Sequence, residues 1–405
     1  MIKVKKLKKV FTQGWILIKF IYYKIYCFFR KNKCIEYNDC WLISEHGNDA
    51  RDNGFFFFKY LRDKHPNINT RYIITSNSAD FNKIKNSGKY IIYGSKEHYI
   101  AYITSKYIIS THLSGASPNI GLFFRLQRYG LLKTRGKLIC LKHGITKDYL
   151  PFFNPKDTNL SLLISAAKCE YDYFVKKNGF SSNVVKLTGF ARFDTLEKKS
   201  SKQILFMPTH RIYMHYMNEK EFVNSDYFKH INGLINNKKI IEILDKNDLT
   251  MIFYIHSEFY KYISLFKSFS KRIIIANIND YDVQKLLIDS ALLITDYSSV
   301  FFDFAYMKKP IIYYQFDYDK YRKQHYYEGY FDYQKDGFGK VCFNENSVID
   351  EIERNVYGKF KIDKEILDKV NNFFAYRDHN NCQRIYNEII KLKKYDKKNV
   401  KDIEK

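Results

Sequence analysis

Residues Ala291–Phe304 read ALLITDYSSVFFDF. The run Ala291–Ile294 is apolar and of buried-strand length. Thr295-Asp296-Tyr297 forms its exit, and Ser298 and Ser299 open an apolar stretch, Val300–Met307, that predicts a helix. Strand, turn and helix in that order make one unit of a parallel sheet covered by helices. The junction gathers free backbone N–H groups, a positive helix end and two hydroxyls, which suits an anion and naturally a diphosphate. The same residues also fit a plainer reading in which one serine is only the helix N-cap.

The pattern extends in both directions. Upstream of residue 200, strand-length apolar runs occur at Cys40–Ser44, Arg71–Ser76, Tyr90–Tyr93, Tyr107–Thr111, Lys137–Leu141, Leu162–Ser165 and Val184–Thr188, with helices predicted between them, among others at Asn53–Lys64 and Cys169–Asn178. A polar, Lys- and Ser-rich stretch, Leu196–Lys202, interrupts the alternation. It resumes with Ile204–Met207, Thr250–Ile255, Arg272–Ala276, Ala291–Thr295 and Pro310–Phe316, and with helices expected at Tyr227–Leu244, Tyr281–Asp289, Val300–Met307 and Lys364–Lys394. We expect an α/β protein of two domains: a segment 1–35, a first domain 36–198, a second domain 199–394 and a charged, fraying tail 395–405.

Ligands of open α/β sheets bind outside the carboxyl ends of the strands. Three strands of the second half should deliver polar groups to that rim. Gln203–Arg211 (QILFMPTHR) ends in Thr209, His210 and Arg211, Thr250–His256 ends in His256, and the opening stretch supplies Ser298 and Ser299. A capped turn, a surface arginine and a satisfied histidine would each be ordinary alone. Their convergence points to a phosphate site. In the first half, Leu138–Leu141 runs into Lys142-His143-Gly144, where Gly144 permits a tight turn that presents His143. Histidine is the side chain best suited to take a hydroxyl proton near neutral pH, although a structural turn histidine is common. Gly189–Asp194 (GFARFD) places Arg192 and Asp194 at another exit, and His46 follows the first strand.

Bulk properties narrow the partners. The 405 residues carry a formal charge of +25 and are 45% hydrophobic, which excludes disorder as the main state and favours anionic partners. The charge is spread over the chain with no recognised nucleic-acid motif, so no nucleic acid is expected. The seven cysteines are scattered, with no zinc or redox spacing, which fits free thiols and no metal. Residues 1–33 hold ten Lys/Arg and no acid. Val10–Phe29 is largely apolar but contains Lys19 and Lys24 and lacks a cleavage site, unlike a signal peptide. A helix lying on an anionic membrane fits better than a spanning one, and a helix packed on the domain is the alternative.

These segments together resemble the CDP-glycerol glycerophosphotransferase family, which builds teichoic acids and polyol-phosphate capsules. The resemblance covers roughly residues 40–345 and is strongest over Leu292–Tyr321 and Tyr327–Val341. QILFMPTHR is similar to the family's strand-PT-x-R motif and GFARFD to its G-x-x-R-x-D motif. His143-Gly144 corresponds to a His-Gly usually preceded by Trp, where this chain has Lys142. The resemblance implies a GT-B-like fold, two Rossmann-like domains with an interdomain cleft. It implies a CDP-alcohol donor, no cofactor, CMP as leaving group, and a membrane-attached polymer acceptor at the cytoplasmic face of the plasma membrane. His143 would be the base. Thr209, His210, Arg211, His256, Ser298 and Ser299 would hold the diphosphate, with Arg192 in the donor set and Asp303 either ordering the loop or touching the donor's glycerol. The rival reading is a sugar-nucleotide glycosyltransferase on the same fold.

Overall fold

The computed structural model describes residues 2–132, 134–199, 202–277 and 280–401, with side chains from 10 to 392. It divides into two compact units. Unit 1 comprises Met1–His143, Pro151–Asp194 and Ala375–Lys405, and unit 2 comprises Gly144–Leu150 and Thr195–Phe374.

The sheet of unit 1 is built from β1 (Trp41–Ser44), β2 (Thr70–Ile74), β3 (Tyr90–Ile92), β4 (Tyr107–Ser110), β5 (Lys137–Cys140), β6 (Leu162–Ser165) and β7 (Val185–Leu187). Its order is β3-β2-β1-β4-β5-β6-β7, with every pairing parallel. Unit 2 contains β8 (Gln203–Phe206), β9 (Thr250–Phe253), β10 (Ile273–Ile275), β11 (Leu292–Thr295), β12 (Ile311–Tyr314) and β13 (Gly339–Cys342). They form a second parallel sheet in the order β10-β9-β8-β11-β12-β13. The central strands β1, β4, β11 and β12 are buried along their whole length. That follows from helices covering both faces, and it is why they read as unbroken apolar runs.

Several boundaries differ from expectation for local reasons. The helix expected over Tyr227–Leu244 is two, Asp226–Leu234 and Lys238–Lys246. Asn237 breaks it by accepting from Lys239 N and Ile240 N as a new N-cap. The expected Lys364–Lys394 helix is likewise two, Lys364–Phe373 and Asn381–Lys401. Residues 375–394, expected in the second domain, group with unit 1. Asp194 supplies the reason, since its carboxylate accepts from Asn381 N and Cys382 N, each at 2.8 Å, at the start of the last helix. That helix runs on through the expected tail to Lys401, and residues 402–405 lie outside the described residues. Within the polar interruption 196–202, Ser200 and Ser201 also lie outside them.

The first helix, Ile2–Phe29, is part of unit 1. Phe20 and Cys27 are buried in a cluster with Tyr99, Tyr102 and Phe123. This is the packed alternative to a free segment, but it uses one side of the helix only.

Candidate active site

In the second sheet the chain winds outward in opposite directions from β8 and β11, so the crevice beyond the strand ends opens between them. Thr209 and His210 follow β8 there, and Ser298 and Ser299 follow β11. Asp296 ties the two exits together. Its Oδ1 accepts from Thr209 N at 2.8 Å and from Tyr297 N at 2.6 Å, while Thr295 Oγ1 donates to Met207 O at 2.7 Å. Thr209 Oγ1 is buried with no hydrogen-bond partner among the described residues. Ser299 occupies the N-cap of the helix Val300–Tyr306, but its backbone is already helical and its hydroxyl makes no capping bond. The plain N-cap reading therefore fails for this side chain. His256, after β9, places its ring 4.2 Å from that of His210. Asp303 is buried one turn into the helix, which favours ordering the loop over reaching a donor.

Arg211 departs from expectation. It was expected on the phosphate, yet it is completely buried. Nε and Nη2 form a two-pronged pair with Asp317, at 2.8 and 2.9 Å, and Nη1 meets Asp296 Oδ2 at 2.9 Å and Thr209 O at 2.7 Å. Its guanidinium also lies over the rings of Tyr297, Tyr321 and Tyr227. Its bonding capacity serves the rim itself, by fixing Asp296 and the Thr209 carbonyl.

In unit 1 three imidazoles gather at the strand exits around the point where the winding reverses, between β1 and β4. His46 follows β1, His112 follows β4 and His143 follows β5. The His46 and His112 rings are 3.6 Å apart, and His112 and His143 stack at 4.7 Å. His112 was missed in the sequence, although it follows an apolar run just as His143 does.

The turn that presents His143 is built differently from expectation. The left-handed residue is Lys142, at φ 56°, and not Gly144. Lys142 is held there by a buried ion pair with Glu170, whose other oxygen accepts from Ser165 Oγ and Ala166 N at 3.0 and 3.1 Å. At Gly144 a Cβ would come 3.1 Å from Ser299 Oγ, a tight contact that would push on that side chain. Asn53 Nδ2 donates to Lys142 O at 2.7 Å. Arg192, expected in the donor set, lies in unit 1 as its place in the first domain implied, and it braces this turn. Its Nη1 donates to the His143 carbonyl and to Asp52 Oδ1, each at 2.8 Å. The His143 side chain is exposed, in a turn that is otherwise buried. Crowding by protein around the ring, with Lys142, Arg192 and His46 nearby, lowers its pKa to about 4. The ring is neutral, and able to accept a proton, at physiological pH.

The segment Gly144–Leu150, expected in the first domain, groups with unit 2. Tyr149 bridges to Tyr327, and Asp148 pairs with Lys147 and, at 2.7 Å, with Arg322 Nη1. Burial alone would raise the Asp148 pKa, but these two cations hold it below the usual carboxylate range. A carboxylate so engaged is a poor general base.

The sequence profile of the CDP-Glycerol:Poly(glycerophosphate) glycerophosphotransferase family matches residues 25–391. The chain belongs to this family. Among relatives of this glycerophosphotransferase-family chain is the minor teichoic acid biosynthesis protein GgaB of Bacillus subtilis, 36% identical over 87% of this chain and 40% of that protein. The teichoic acid poly(glycerol phosphate) polymerase of Staphylococcus epidermidis is 24% identical over 68% of this chain and 40% of its own length. The chain thus spans about two fifths of each of these relatives. A solved structure of the wall teichoic acid polymerase TagF superposes with a TM-score of 0.68 at 18% identity, covering 95% of this chain and 99% of that one. That likeness concerns the fold, which is of the GT-B-like class. Among the described residues of this glycerophosphotransferase-family member, no group of three or more His, Cys, Asp or Glu is placed to hold a metal ion.

Proposed function

We propose that this chain transfers glycerol phosphate, or a related polyol phosphate, from a CDP-alcohol to a hydroxyl of a membrane-associated polymer. The acceptor oxygen attacks the phosphorus that bears the polyol, its proton passes to His143, and the bond to CMP breaks. Thr209, His210, His256, Ser298 and Ser299 hold the diphosphate and stabilise the departing CMP phosphate. No cofactor is needed for this step. The observation that carries the reading is the tie from Thr209 N to Asp296, which sets the PTHR and DYSS exits side by side at the crevice of the second sheet. The sugar-nucleotide alternative shares the fold but not the family.

The test is a binding panel of CDP-glycerol, CDP-ribitol and common sugar nucleotides. Ser298→Ala and Ser299→Ala should each weaken CDP-alcohol binding by about 1 kcal/mol or more, because hydrogen bonds to charged groups are the stronger ones. Preference for a sugar nucleotide, or unchanged affinity in the double variant, removes the assignment.

We further propose that the enzyme works as a peripheral protein on anionic membrane at the cytoplasmic face, in cell-envelope or capsule synthesis. Phe11, Trp15, Ile18, Tyr22, Ile25 and Phe29 follow helical spacing and are all exposed, on the helix whose Phe20 and Cys27 are buried in unit 1. A contiguous apolar stripe beside basic residues supports interfacial binding. No helix among the described residues is long and apolar enough to cross a membrane. Replacing Phe11, Trp15 and Tyr22 together by Ser spares the buried side. It should release the protein from phosphatidylglycerol vesicles in flotation assays while leaving its melting temperature nearly unchanged. Flotation equal to that of the unaltered chain would remove the stripe from membrane binding.

A further inference from the structure

Unit 2 holds more imidazole than the mechanism above uses. His215 follows the short turn Ile212–Met214, and His325 follows the helix Tyr318–Gln324. Their ring centroids lie 4.9 and 5.0 Å from that of His210, so with His256 four imidazoles surround one space. The main chain orients two of them. Ile212 N donates to His325 Nδ1 at 3.1 Å, and Glu258 N donates to His256 Nδ1 at 3.2 Å. A neutral imidazole whose Nδ1 accepts carries its proton on Nε2. Both rings are therefore set as Nε2–H donors. His325 Nε2, His210 Nδ1 and His215 Nε2 are buried without a hydrogen-bond partner among the described residues. Leaving three polar nitrogens so costs free energy that apolar side chains would not, and a ligand that bonds them would relieve it.

We propose that His215 and His325 join His210 and His256 in an imidazole pocket for the donor's diphosphate, and that binding there takes up a proton. This rests on the reading of unit 2 as the donor unit. The surrounding charges favour uptake only when an anion arrives. Arg211 faces the cluster, but its charge is matched by Asp296 and Asp317. Burial, then His256, His325, His215 and Arg211, hold His210 down at about 3. Burial, Arg211, Lys147 and His215 hold His325 at about 3, against the opposing pull of Asp148. His256 is lowered by burial and by His215, with Glu258 and Asp296 opposing. Lys261 binds the His215 carbonyl, and Tyr321 stacks on His325. In the free protein His210 and His325 are thus neutral. Phosphate oxygens against the rings favour the imidazolium form and raise its pKa on binding. Binding is then strongest at low pH and weakens as pH rises through the bound-state value.

CDP-glycerol is the suitable probe, because its diphosphate diester has no proton to lose between about pH 5.5 and 8.5, unlike the monoester CMP. Calorimetric titration of the full chain, in two buffers of different ionisation enthalpy, reads the proton count directly. We expect net proton uptake near pH 6 and a roughly tenfold loss of affinity between pH 6 and pH 8. His215→Gln and His325→Gln, each checked by a melting curve, should still bind CDP-glycerol but with less uptake and a flatter pH profile. Ser298→Ala should lower affinity with the uptake unchanged. CDP-glycerol binding without proton uptake, or with uptake undiminished in both glutamine variants, overturns the inference and leaves the donor reading standing. No CDP-glycerol binding by the unaltered chain removes both.

Discussion

His143→Ala is expected to lower turnover by about a hundredfold or more, with donor affinity nearly intact. The imidazole is proposed to act on the acceptor hydroxyl, whereas the groups proposed to hold the diphosphate come from other strands. Its depressed pKa adds a second signature. A general base works when unprotonated, so its contribution is full above its pKa and declines as pH falls through about 4. The acid limb of turnover should therefore lie below pH ~5 rather than near the ordinary histidine value of about 6.5. His256→Ala should instead weaken donor binding as well as turnover, since it is proposed to meet the diphosphate in both ground and transition states. Melting curves must accompany both variants. Near-normal turnover of His143→Ala with saturating acceptor would remove it as the base and turn attention to His112 and His46.

Arg211→Met is expected to cost about 3–5 kcal/mol of stability, the size associated with leaving a buried charge uncompensated. It strands Asp296 and Asp317 in the interior, and Asp296 is the group that joins the β8 and β11 exits. Arg211→Lys should recover little, because an ammonium cannot make the two-pronged bond to Asp317 and reach Asp296 and Thr209 O as well. Urea unfolding of the three proteins measures this. A variant with unchanged stability and lost donor binding would restore Arg211 to the phosphate and contradict the scaffold role.

The central strands were legible because helices cover both their faces, leaving β1, β4, β11 and β12 apolar but for a buried hydroxyl at the end of the first three, Ser44, Ser110 and Thr295. The edge strand β13 was not. Gly339 and Lys340 interrupt its apolar run, and Gly339 lies so close to β12 that a Cβ would come 1.8 Å from Ile311 O. The exits were legible as positions, since a polar group following an apolar run is a pattern in the chain. What each side chain does there was not. Arg211 and Arg192 look like free cations in sequence, and only the fold reveals the carboxylates and carbonyls that engage them. The grouping of Gly144–Leu150 and of the last helix was hidden for the same reason. The Tyr149–Tyr327 bridge and the Asp194 cap join residues nearly two hundred apart in sequence. Lys142 likewise finds its partner Glu170 beyond another strand, β6.

The central claim is that the chain moves a polyol phosphate from a CDP-alcohol to a membrane-borne acceptor. Its most direct test supplies the purified protein and acceptor membranes with CDP-glycerol labelled in the glycerol. Label entering the membrane fraction and CMP released are counted together, with UDP-sugars in parallel. The account predicts label incorporation matched by CMP, lost in His143→Ala, and no transfer from the UDP-sugars. Transfer from a UDP-sugar with CDP-glycerol left intact would contradict it.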